Sequence, residues 1–263
     1  MTTPKLSVAI ATYNEEKNIK RALSSVANLA DEIVVVDGSS SDKTPQIAKA
    51  LKAKIITTGN KQMFHINKNL AIDNCQGEWI LLLDADESVS KPLSEEIKKV
   101  IDSKPKENGF WVNRRNWFLD GFLKKGGAYP DAVIRLFKKG KGRLPEVNVH
   151  EQVEITGSVG SLQNDLLHFA DPTFSRYLQR ANRYTTQTAL EIAGQDPDTG
   201  PLAVINYMLV KPVIYIIRIY LRHRGYKDGF RGFVWALFSG FHYFYSYVKY
   251  WHLKQKKLPI YDN

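Results

Sequence analysis

Short apolar runs alternate with segments of helical spacing through the first third of the chain. The runs are apolar throughout rather than at every second position, which is typical of strands buried on both faces. Strands separated by helices in this way predict a parallel sheet with helices on both sides. The predicted strands are Leu6–Ala11, Glu32–Val36, Lys54–Thr57 and Trp79–Leu83, and the predicted helices between them are Glu15–Ala27, Asp42–Lys52 and Ile66–Asn74.

The pattern changes after a further predicted helix at Pro92–Ile101. Phe110–Phe118 and Ala132–Phe137 have the composition of strands, and Val147–Ile155 is a third candidate. Glycine-rich breaks separate these segments, so the α/β pattern is followed by a mixed or antiparallel extension.

The last part of the chain has the pattern of helices only. The turn-forming segment GQDPDTGP, at 194–201, is its clearest linker. We expect an α/β domain over residues 1–171 and a helical region over residues 172–263. The predicted helices of that region are Phe174–Ala193, Leu202–Leu221 and Tyr226–Leu253.

Charge is concentrated toward the C-terminus. The 263 residues carry a formal net charge of +10, of which residues 172–263 contribute +8 and residues 1–171 only +2. The same C-terminal part holds 19 of the 30 aromatic residues. A basic, aromatic segment suits an anionic partner, either a membrane surface or a nucleic acid. The single cysteine, Cys75, excludes a disulfide framework and fits a reducing compartment.

Two apolar segments of this tail have the composition of membrane-associating helices. Leu202–Leu221 is long enough to span a bilayer, but Lys211, Pro212 and Arg218 interrupt it. Gly232–Val248 is rich in aromatic residues and is only 17 residues long. We expect a helical hairpin in the interface of an anionic membrane rather than two spans. Packing of these helices as core, and binding of nucleic acid, are the alternatives.

Polar clusters follow three of the predicted strands, at the sheet edge where open α/β sheets bind ligands. The first strand leads into Thr12–Glu15, the second into Asp37–Asp42 and the fourth into Asp84–Glu87. The absence of G-x-G-x-x-G and of G-x-x-x-x-G-K-[ST] argues against Rossmann-type dinucleotide binding and against a P-loop nucleotidase. Asp84 and Asp86 can instead offer oxygen ligands to Mg²⁺ or Mn²⁺, which would neutralise a diphosphate.

The three strand ends lie within longer motifs, SVAIATYNEEKNI, EIVVVDGSSSDKT and NKNLAIDNCQGEWILLLDADE, which cover about residues 6–87. In this order they resemble the signature blocks of family 2 glycosyltransferases. GGAYPDAVIRLFKKGKG at 126–142 and VNVHEQVEI at 147–155 are similar to the branch with lipopolysaccharide-core glucosyltransferases, which add a β-linked glucose to inner-core heptose. The resemblance implies an α/β GT-A fold, which is Rossmann-like with a mostly parallel central sheet, and a C-terminal helical extension.

The resemblance also implies an enzyme that inverts the anomeric centre of a nucleotide sugar. It assigns Asp37 to the uracil ring and Lys68, where the family usually has Arg, to the nucleotide or its phosphates. Asp84 and Asp86 would handle the ribose, the metal and the diphosphate. The other residues that would line or adjoin the nucleotide pocket are Thr12, Tyr13, Glu15 and Ser39.

Inversion in a single displacement requires a general base on the acceptor hydroxyl. Many family members use an Asp in a motif that this sequence does not show clearly, and it has His150-Glu151 about 65 residues after Asp86. We predict Glu151 as the base, with His150 as the alternative and Asp86 as the third catalytic residue. Glu87 is either a supporting residue or a charge at a helix N-terminus.

Two further residues have a functional and a structural interpretation. Arg135, near Asp131, would bind a phosphate of the donor or acceptor, or else form an ion pair at a strand edge. His168 would be a metal ligand together with Asp84 and Asp86, or else a half-buried histidine without a metal.

The sequence as a whole predicts an inverting hexosyltransferase that depends on Mg²⁺ or Mn²⁺. It would move glucose from UDP-glucose to a membrane glycolipid, the lipopolysaccharide inner core. We expect it in the cytoplasm, bound peripherally to the inner face of the plasma (inner) membrane, and we expect no nucleic-acid partner. A transferase to a polyprenyl-phosphate acceptor and a non-catalytic nucleotide-sugar or nucleic-acid binding module are the alternatives.

Overall fold

The protein is described by a computed structural model over residues 4–61, 63–146, 152–195, 197 and 199–256. The strands found there are β1 (Leu6–Thr12), β2 (Glu32–Asp37), β3 (Lys54–Thr57), β4 (Trp79–Leu82), β5 (Glu87–Val89), β6 (Gly109–Phe118), β7 (Gly121–Phe122), β8 (Asp131–Lys138), β9 (Gly142–Arg143), β10 (Glu154–Ile155), β11 (Val159–Ser161) and β12 (Leu166–Asp171). The α-helices are α1 (Ile19–Val26), α2 (Thr44–Ala50), α3 (Phe64–Asp73), α4 (Lys91–Asp102), α5 (Phe174–Gln195), α6 (Pro201–Ile205), α7 (Lys211–Ile217) and α8 (Gly229–Lys256).

These elements fall into two compact units, each of which draws on two segments of the chain. Unit 1 comprises Met1–Arg115 and Asp131–Phe169, and unit 2 comprises Asn116–Pro130 and Ala170–Asn263. The second unit thus contains a short segment from the middle of the chain that no pattern in the sequence assigns to the helical tail.

Unit 1 is built around a sheet of both parallel and antiparallel strands, whose main strand order is β3-β2-β1-β4-β8-β6-β12-β5. The four strands at the β3 end are parallel, as the apolar runs predicted. The next strand, β8, is antiparallel to both of its neighbours, β4 and β6. β12 is antiparallel to β5 and forms the other end of the sheet with it. The carboxyl ends of β1, β2 and β4 therefore share one edge.

The parallel strands are apolar on both faces because helices cover both faces. In β4, Trp79 and Leu81 point into one hydrophobic cluster, which contains the inward residues of α1 and α4. Ile80 and Leu82 point the other way, into a second cluster with Ala71 of α3. Side chains alternate between the faces of a strand, so a buried sheet with two helical layers needs an unbroken apolar run.

A close contact joins the start of β4 to β1. The N–H of Gly77 donates to Ser7 Oγ at 2.8 Å, and that hydroxyl donates to Glu32 Oε2 at 2.5 Å. A Cβ on Gly77 would lie 2.6 Å from the Ser7 backbone nitrogen, which is closer than real Cβ atoms approach. Glycine is therefore required here for the two strands to meet.

Unit 2 has an aromatic core. The ring of Phe118 lies 5.0 Å from that of Tyr177 and 5.5 Å from that of Trp235, in edge-to-face arrangements. Further along α8, Tyr247 stacks on Tyr207 with 4.7 Å between ring centroids. A large part of the aromatic tail is therefore core, as the packing alternative expected, although other aromatic side chains such as Phe230 remain exposed.

Pro201–Arg222 is one helix made of α6, α7 and two π-helical turns, Asn206–Val210 and Arg218–Arg222. Among the described residues it is the one helix that is long and apolar enough to cross a membrane, with 22 residues and a mean hydropathy of 1.7. Length and composition alone support that statement. Only 6% of its apolar window is buried within the protein.

We expect Gly77→Ala to destabilise the protein by about 1–3 kcal/mol, the usual cost of forcing a methyl group into a packed site. Gly59→Ala is the matched control, because a Cβ there would meet nothing within 4 Å. Urea unfolding of the two variants and the parent measures the difference. Equal unfolding free energies for the two variants would contradict the close contact between β1 and β4.

Candidate active site

The loops that follow β1 and β2 are tied together at the shared sheet edge. Thr12 pairs in register with Asp37, which is 1% exposed. The Asp37 carboxylate accepts hydrogen bonds from the Ser40 N–H at 2.9 Å and from the Ser40 hydroxyl at 2.6 Å. The N–H of Asn14 donates to Ser40 Oγ at 2.8 Å. The two loops therefore form one continuous polar edge.

Thr12 contributes an unsatisfied group to this edge. Its hydroxyl is buried and has no hydrogen-bond partner among the described residues. A buried hydroxyl of this kind normally bonds to water or a ligand. The edge is therefore suited to a polar ligand that extends from Thr12 toward Asp37.

The remaining residues predicted for the nucleotide pocket differ in how much they are already engaged. Tyr13 is 45% exposed at the end of β1. Glu15 accepts a hydrogen bond from Asn18 Nδ2 at 2.6 Å. The hydroxyl of Ser39 donates to the backbone oxygen of Thr58 at 2.7 Å and so stabilises its own loop. Tyr13 and Ser39 are exposed, whereas Glu15 is partly buried.

Asp84 follows β4 and lies between two cations. One carboxylate oxygen contacts the ammonium of Lys68, on α3, and the other accepts from Arg135 Nη2, on β8, at 2.5 Å. Burial acts to raise the pKa of Asp84, but Arg135 and Lys68 outweigh it and the pKa lies well below its usual value. Asp84 is therefore ionised at physiological pH.

The buried side chain of Glu87 holds both Asp84 and Arg135 in position. It is fully buried, and its carboxylate accepts from the Asp84 N–H at 2.9 Å and from Arg135 Nη2 at 2.6 Å. Burial acts to lower the pKa of Arg135, but the two carboxylates outweigh it and raise the pKa. Glu87 begins β5 rather than a helix, so its contacts favour the supporting role.

Arg135 itself is 6% exposed, and both of its ion pairs are with carboxylates of unit 1. Of its two interpretations, these contacts match the ion pair, and binding of a phosphate stays a prediction. Arg114 was not singled out from the sequence, yet it lies 3.6 Å from Glu87 and 2.9 Å from Asp131. The antiparallel register of β6 and β8 pairs Arg114 with Asp131, and no local pattern reveals that register.

Asp86 and His168 come together at the same edge. His168 lies on β12, where it pairs in register with Glu87. The next residue, Phe169, donates its backbone N–H to the backbone oxygen of Asp86 at 2.9 Å. His168 Nε2 is 3.5 Å from Asp86 Oδ2. Burial acts to raise the pKa of Asp86, but His168 outweighs it and the pKa falls below its usual value.

This donor set fits a divalent cation in part. Asp86 offers a carboxylate oxygen and His168 an imidazole nitrogen, and Mn²⁺ accepts both. No group of three His, Cys, Asp or Glu side chains that could hold a metal occurs among the described residues. A cation there would take its other ligands from water and phosphate oxygens, as Mg²⁺ commonly does.

Two predicted catalytic residues, His150 and Glu151, lie outside the described residues. A second residue near the site was missed besides Arg114: Arg21, on α1, has its guanidinium carbon 3.9 Å from the centroid of the Phe169 ring. The charges of Asp86 and Glu15 act on Arg21, although burial dominates and lowers its pKa. The position of β12 against α1 depends on tertiary packing, so the sequence contains no signal for this contact.

Comparison with known proteins assigns the class. Residues 7–151 match the family "Glycosyl transferase family 2", and the chain belongs to that family. It is therefore a glycosyltransferase, an enzyme of the hexosyltransferase type. The chain is 28% identical to the lipopolysaccharide core biosynthesis glycosyltransferase LpsC of Rhizobium meliloti (strain 1021), over 93% of this chain and 91% of LpsC. It is 27% identical to an uncharacterized glycosyltransferase of Rickettsia typhi, over 93% of this chain and 86% of that protein.

A solved structure has the same fold. The mannosyltransferase PcManGT from Pyrobaculum calidifontis, in complex with GDP-Man and Mn²⁺, matches 95% of this chain and 88% of its own, with a TM-score of 0.50 and 15% identity. At that identity the similarity concerns the fold alone. The predicted α/β GT-A fold with a C-terminal helical region is confirmed, and so is the resemblance to the lipopolysaccharide-core branch.

We expect Arg135→Gln to destabilise the protein by about 3–5 kcal/mol, because it removes the cation in closest contact with the buried carboxylate of Glu87. Adding Glu87→Gln removes the negative charge that Arg135 neutralised, so the double variant is expected to recover part of the lost stability. Urea unfolding of both single variants and the double variant completes the cycle.

Arg143→Gln is the control, because the Arg143–Asp73 pair is 58% and 53% exposed. Its removal is expected to change stability by less than about 1 kcal/mol. A similar small cost for Arg135→Gln would show that the buried pair contributes no more than an exposed one.

Proposed function

We propose that this enzyme is an inverting, metal-dependent glycosyltransferase that moves glucose from UDP-glucose to a glycolipid of the lipopolysaccharide inner core. The observation that carries the proposal is the meeting of Asp84, Asp86, Lys68 and His168 at the end of β4. The similarity to LpsC over nearly the whole chain supports the acceptor class. The GDP-Man and Mn²⁺ of PcManGT support a nucleotide sugar and a divalent metal.

The polar edge of β1 and β2 would hold the nucleoside. The buried hydroxyl of Thr12 gains a partner there, and the carboxylate of Asp37 still has lone pairs beyond those used by Ser40. Tyr13 is exposed and offers a ring face to the base. Glu15 and Ser39 hold the loops on either side.

Asp86 and His168 would hold the metal, with Asp84 as the third proposed ligand. Both oxygens of Asp84 contact cations, so Asp84 would serve as a ligand only by giving up its contact with Lys68, which would then be available to the diphosphate. When bound, the divalent cation neutralises negative charge on the departing diphosphate. Lys68 adds a second positive charge to the same leaving group, and Arg135 keeps Asp84 in position.

Inversion then depends on a base that takes the proton of the acceptor hydroxyl while the bond to the diphosphate breaks. Glu151 is the proposed base and His150 the alternative. The match to the family extends to residue 151, so both residues fall within the region that the family shares.

The proposed acceptor is a membrane glycolipid, and the proposed location is the cytoplasmic side of the inner membrane, where the protein binds peripherally. The strongly basic C-terminal part supports an anionic surface as its partner. The apolar helix Pro201–Arg222 supports contact with the lipid.

We expect Asp86→Asn to lower kcat/KM by at least about 100-fold, because it would weaken the hold on the cation that stabilises negative charge on the departing diphosphate. We also expect it to remove the dependence of UDP affinity on Mn²⁺. Calorimetric titration of UDP with and without Mn²⁺, together with UDP release during transfer, measures both effects.

Asp102→Asn is the matched control, since Asp102 is exposed in an ion pair with Lys5 at 3.1 Å. It should leave transfer and UDP affinity unchanged. If the parent enzyme bound UDP equally well with and without Mn²⁺, the metal role of Asp86 would be refuted.

Among nucleotide sugars supplied with Mn²⁺ and an extract of lipopolysaccharide-containing membranes, we expect UDP-glucose to give the fastest release of nucleoside diphosphate. A truncated inner-core glycolipid should restore the rate in a defined system, whereas a polyprenyl phosphate should not. Faster release from another donor would refute glucose, and transfer to the polyprenyl phosphate would favour the other acceptor.

A further inference from the structure

Exposed side chains recur at every fourth residue along the helix Pro201–Arg222. One such row, called here the apolar row, comprises Ile205, Leu209, Val213, Ile217 and Leu221, and each of these side chains is between 49% and 61% exposed. Large apolar side chains exposed in a continuous stripe mark an interaction surface.

A row of four-residue steps is not straight on a regular α-helix. A turn takes 3.6 residues, so each step overshoots by about 40°. The wider π-helical turns at Asn206–Val210 and Arg218–Arg222 take up this overshoot. The apolar row therefore remains on one face along the helix.

The charge in the middle of this helix does not interrupt the apolar row. Lys211 points to the inner face, where its Nζ lies 3.6 Å from the centroid of the Tyr207 ring. On the same face, Tyr207 stacks on Tyr247 of α8. The sequence indicated a span interrupted by Lys211, Pro212 and Arg218. Lys211 and Pro212 lie on the side that packs against the protein, whereas Arg218 is exposed.

A second exposed row lies beside the apolar row and ends in Arg218 and Arg222. A group of exposed cations, called here the basic patch, includes Arg222 and continues into the turn after the helix. Asp228 is 6% exposed and accepts the backbone N–H groups of Lys124 at 3.0 Å and Lys125 at 2.8 Å. This buried carboxylate ties a loop from the middle of the chain to the turn between the two helices. The exposed cations of the basic patch are Lys124, Lys125, Arg222, Arg224 and Lys227.

We propose that the apolar row and the basic patch together dock unit 2 onto the surface of an anionic phospholipid bilayer, with the helix Pro201–Arg222 in the plane of the interface. The apolar side chains enter the boundary between headgroups and acyl chains, and the cations contact lipid phosphates. This deepens the proposed function, since it rests on a membrane acceptor and names the surface that reaches the membrane.

The helix is about 33 Å long and could span a bilayer by length alone, but its neighbours favour the in-plane orientation. α8 packs against it and also against α5, and side chains of all three helices share one hydrophobic cluster, which includes Ala189, Tyr207 and Tyr250. α5 exposes Arg183 and Glu191, whose burial in hydrocarbon is costly. A helix whose packing partners expose charges lies on a membrane rather than across it.

The basic patch is tested with the full chain on vesicles of phosphatidylcholine with and without phosphatidylglycerol, in the absence of any nucleotide sugar. The variant is Lys124→Gln, Lys125→Gln, Arg222→Gln and Lys227→Gln together. At about fivefold per cation near an anionic surface, we expect its partitioning onto anionic vesicles to fall by about 100-fold or more. Raising the salt concentration should weaken binding of the parent protein.

The matched control removes four exposed lysines of unit 1, as Lys20→Gln, Lys49→Gln, Lys91→Gln and Lys99→Gln, and so changes the net charge equally. We expect it to weaken binding by less than about threefold, because those lysines lie on unit 1, outside the proposed docking surface of unit 2. An equal loss in both quadruple variants would overturn the basic patch and leave only a general effect of charge.

The apolar row is tested by Leu209→Gln with Ile217→Gln, against Leu178→Gln with Leu190→Gln on α5, which are 40% and 52% exposed. The first pair is expected to lower partitioning at least about tenfold on both vesicle types, and the second pair to leave it unchanged. Equal losses in both pairs would overturn the assigned face. Far-UV circular dichroism should be unchanged in all variants, because every substituted side chain is exposed.

Alkaline carbonate separates the two orientations, since it releases a docked protein and leaves a spanning helix in the pellet. Release supports the in-plane orientation, and retention overturns it. Equal binding to neutral and anionic vesicles, or tighter binding to single-stranded RNA than to vesicles, would overturn the anionic bilayer as partner. UDP binding of the same variants is measured separately, so a failure of docking is distinguishable from a failure of the proposed transferase activity.

Discussion

The guanidinium of Arg135 is the interaction on which the candidate site depends. A carboxylate as fully buried as that of Glu87 needs a cation in contact with it, since an unpaired buried charge is costly. Arg135 supplies that cation and binds Asp84 with the same nitrogen. It can do so because β8 runs antiparallel beside β4. The sheet topology is thus what allows carboxylates to stand at the end of an apolar strand.

The same network sets the charge that a ligand meets. Asp84 contacts Arg135 of β8 and Lys68 of α3, whereas Asp86 lies beside His168 of β12. The two aspartates are separated by one residue, yet their surroundings are different. Asp84 is held between two fixed positive charges, and Asp86 lies beside an imidazole ring. This difference matches the proposed roles, in which Asp84 is anchored by its cations and Asp86 binds the ligand.

Much of unit 1 was predictable, because continuous apolar runs and polar strand ends are local properties of the sequence. Lys54–Thr57 was predicted to the residue, and the four parallel strands follow from the alternation with helices. Arg114 could not be found in this way, since its partners come from the register of β6 and β8. The C-terminal aromatic residues were also ambiguous, because they are so dense along α8 that no periodicity separates Tyr247, which is buried, from Phe230, which is exposed.

The two π-helical turns of Pro201–Arg222 make chain length as important as composition in that helix. Removing one residue from α7, which lies between these turns, would rotate every later side chain by about 100° about the helix axis. Leu221 and Arg222 would then turn away from their exposed positions. Point substitutions that preserve apolar character are compatible with this helix, whereas a single-residue deletion within it is not.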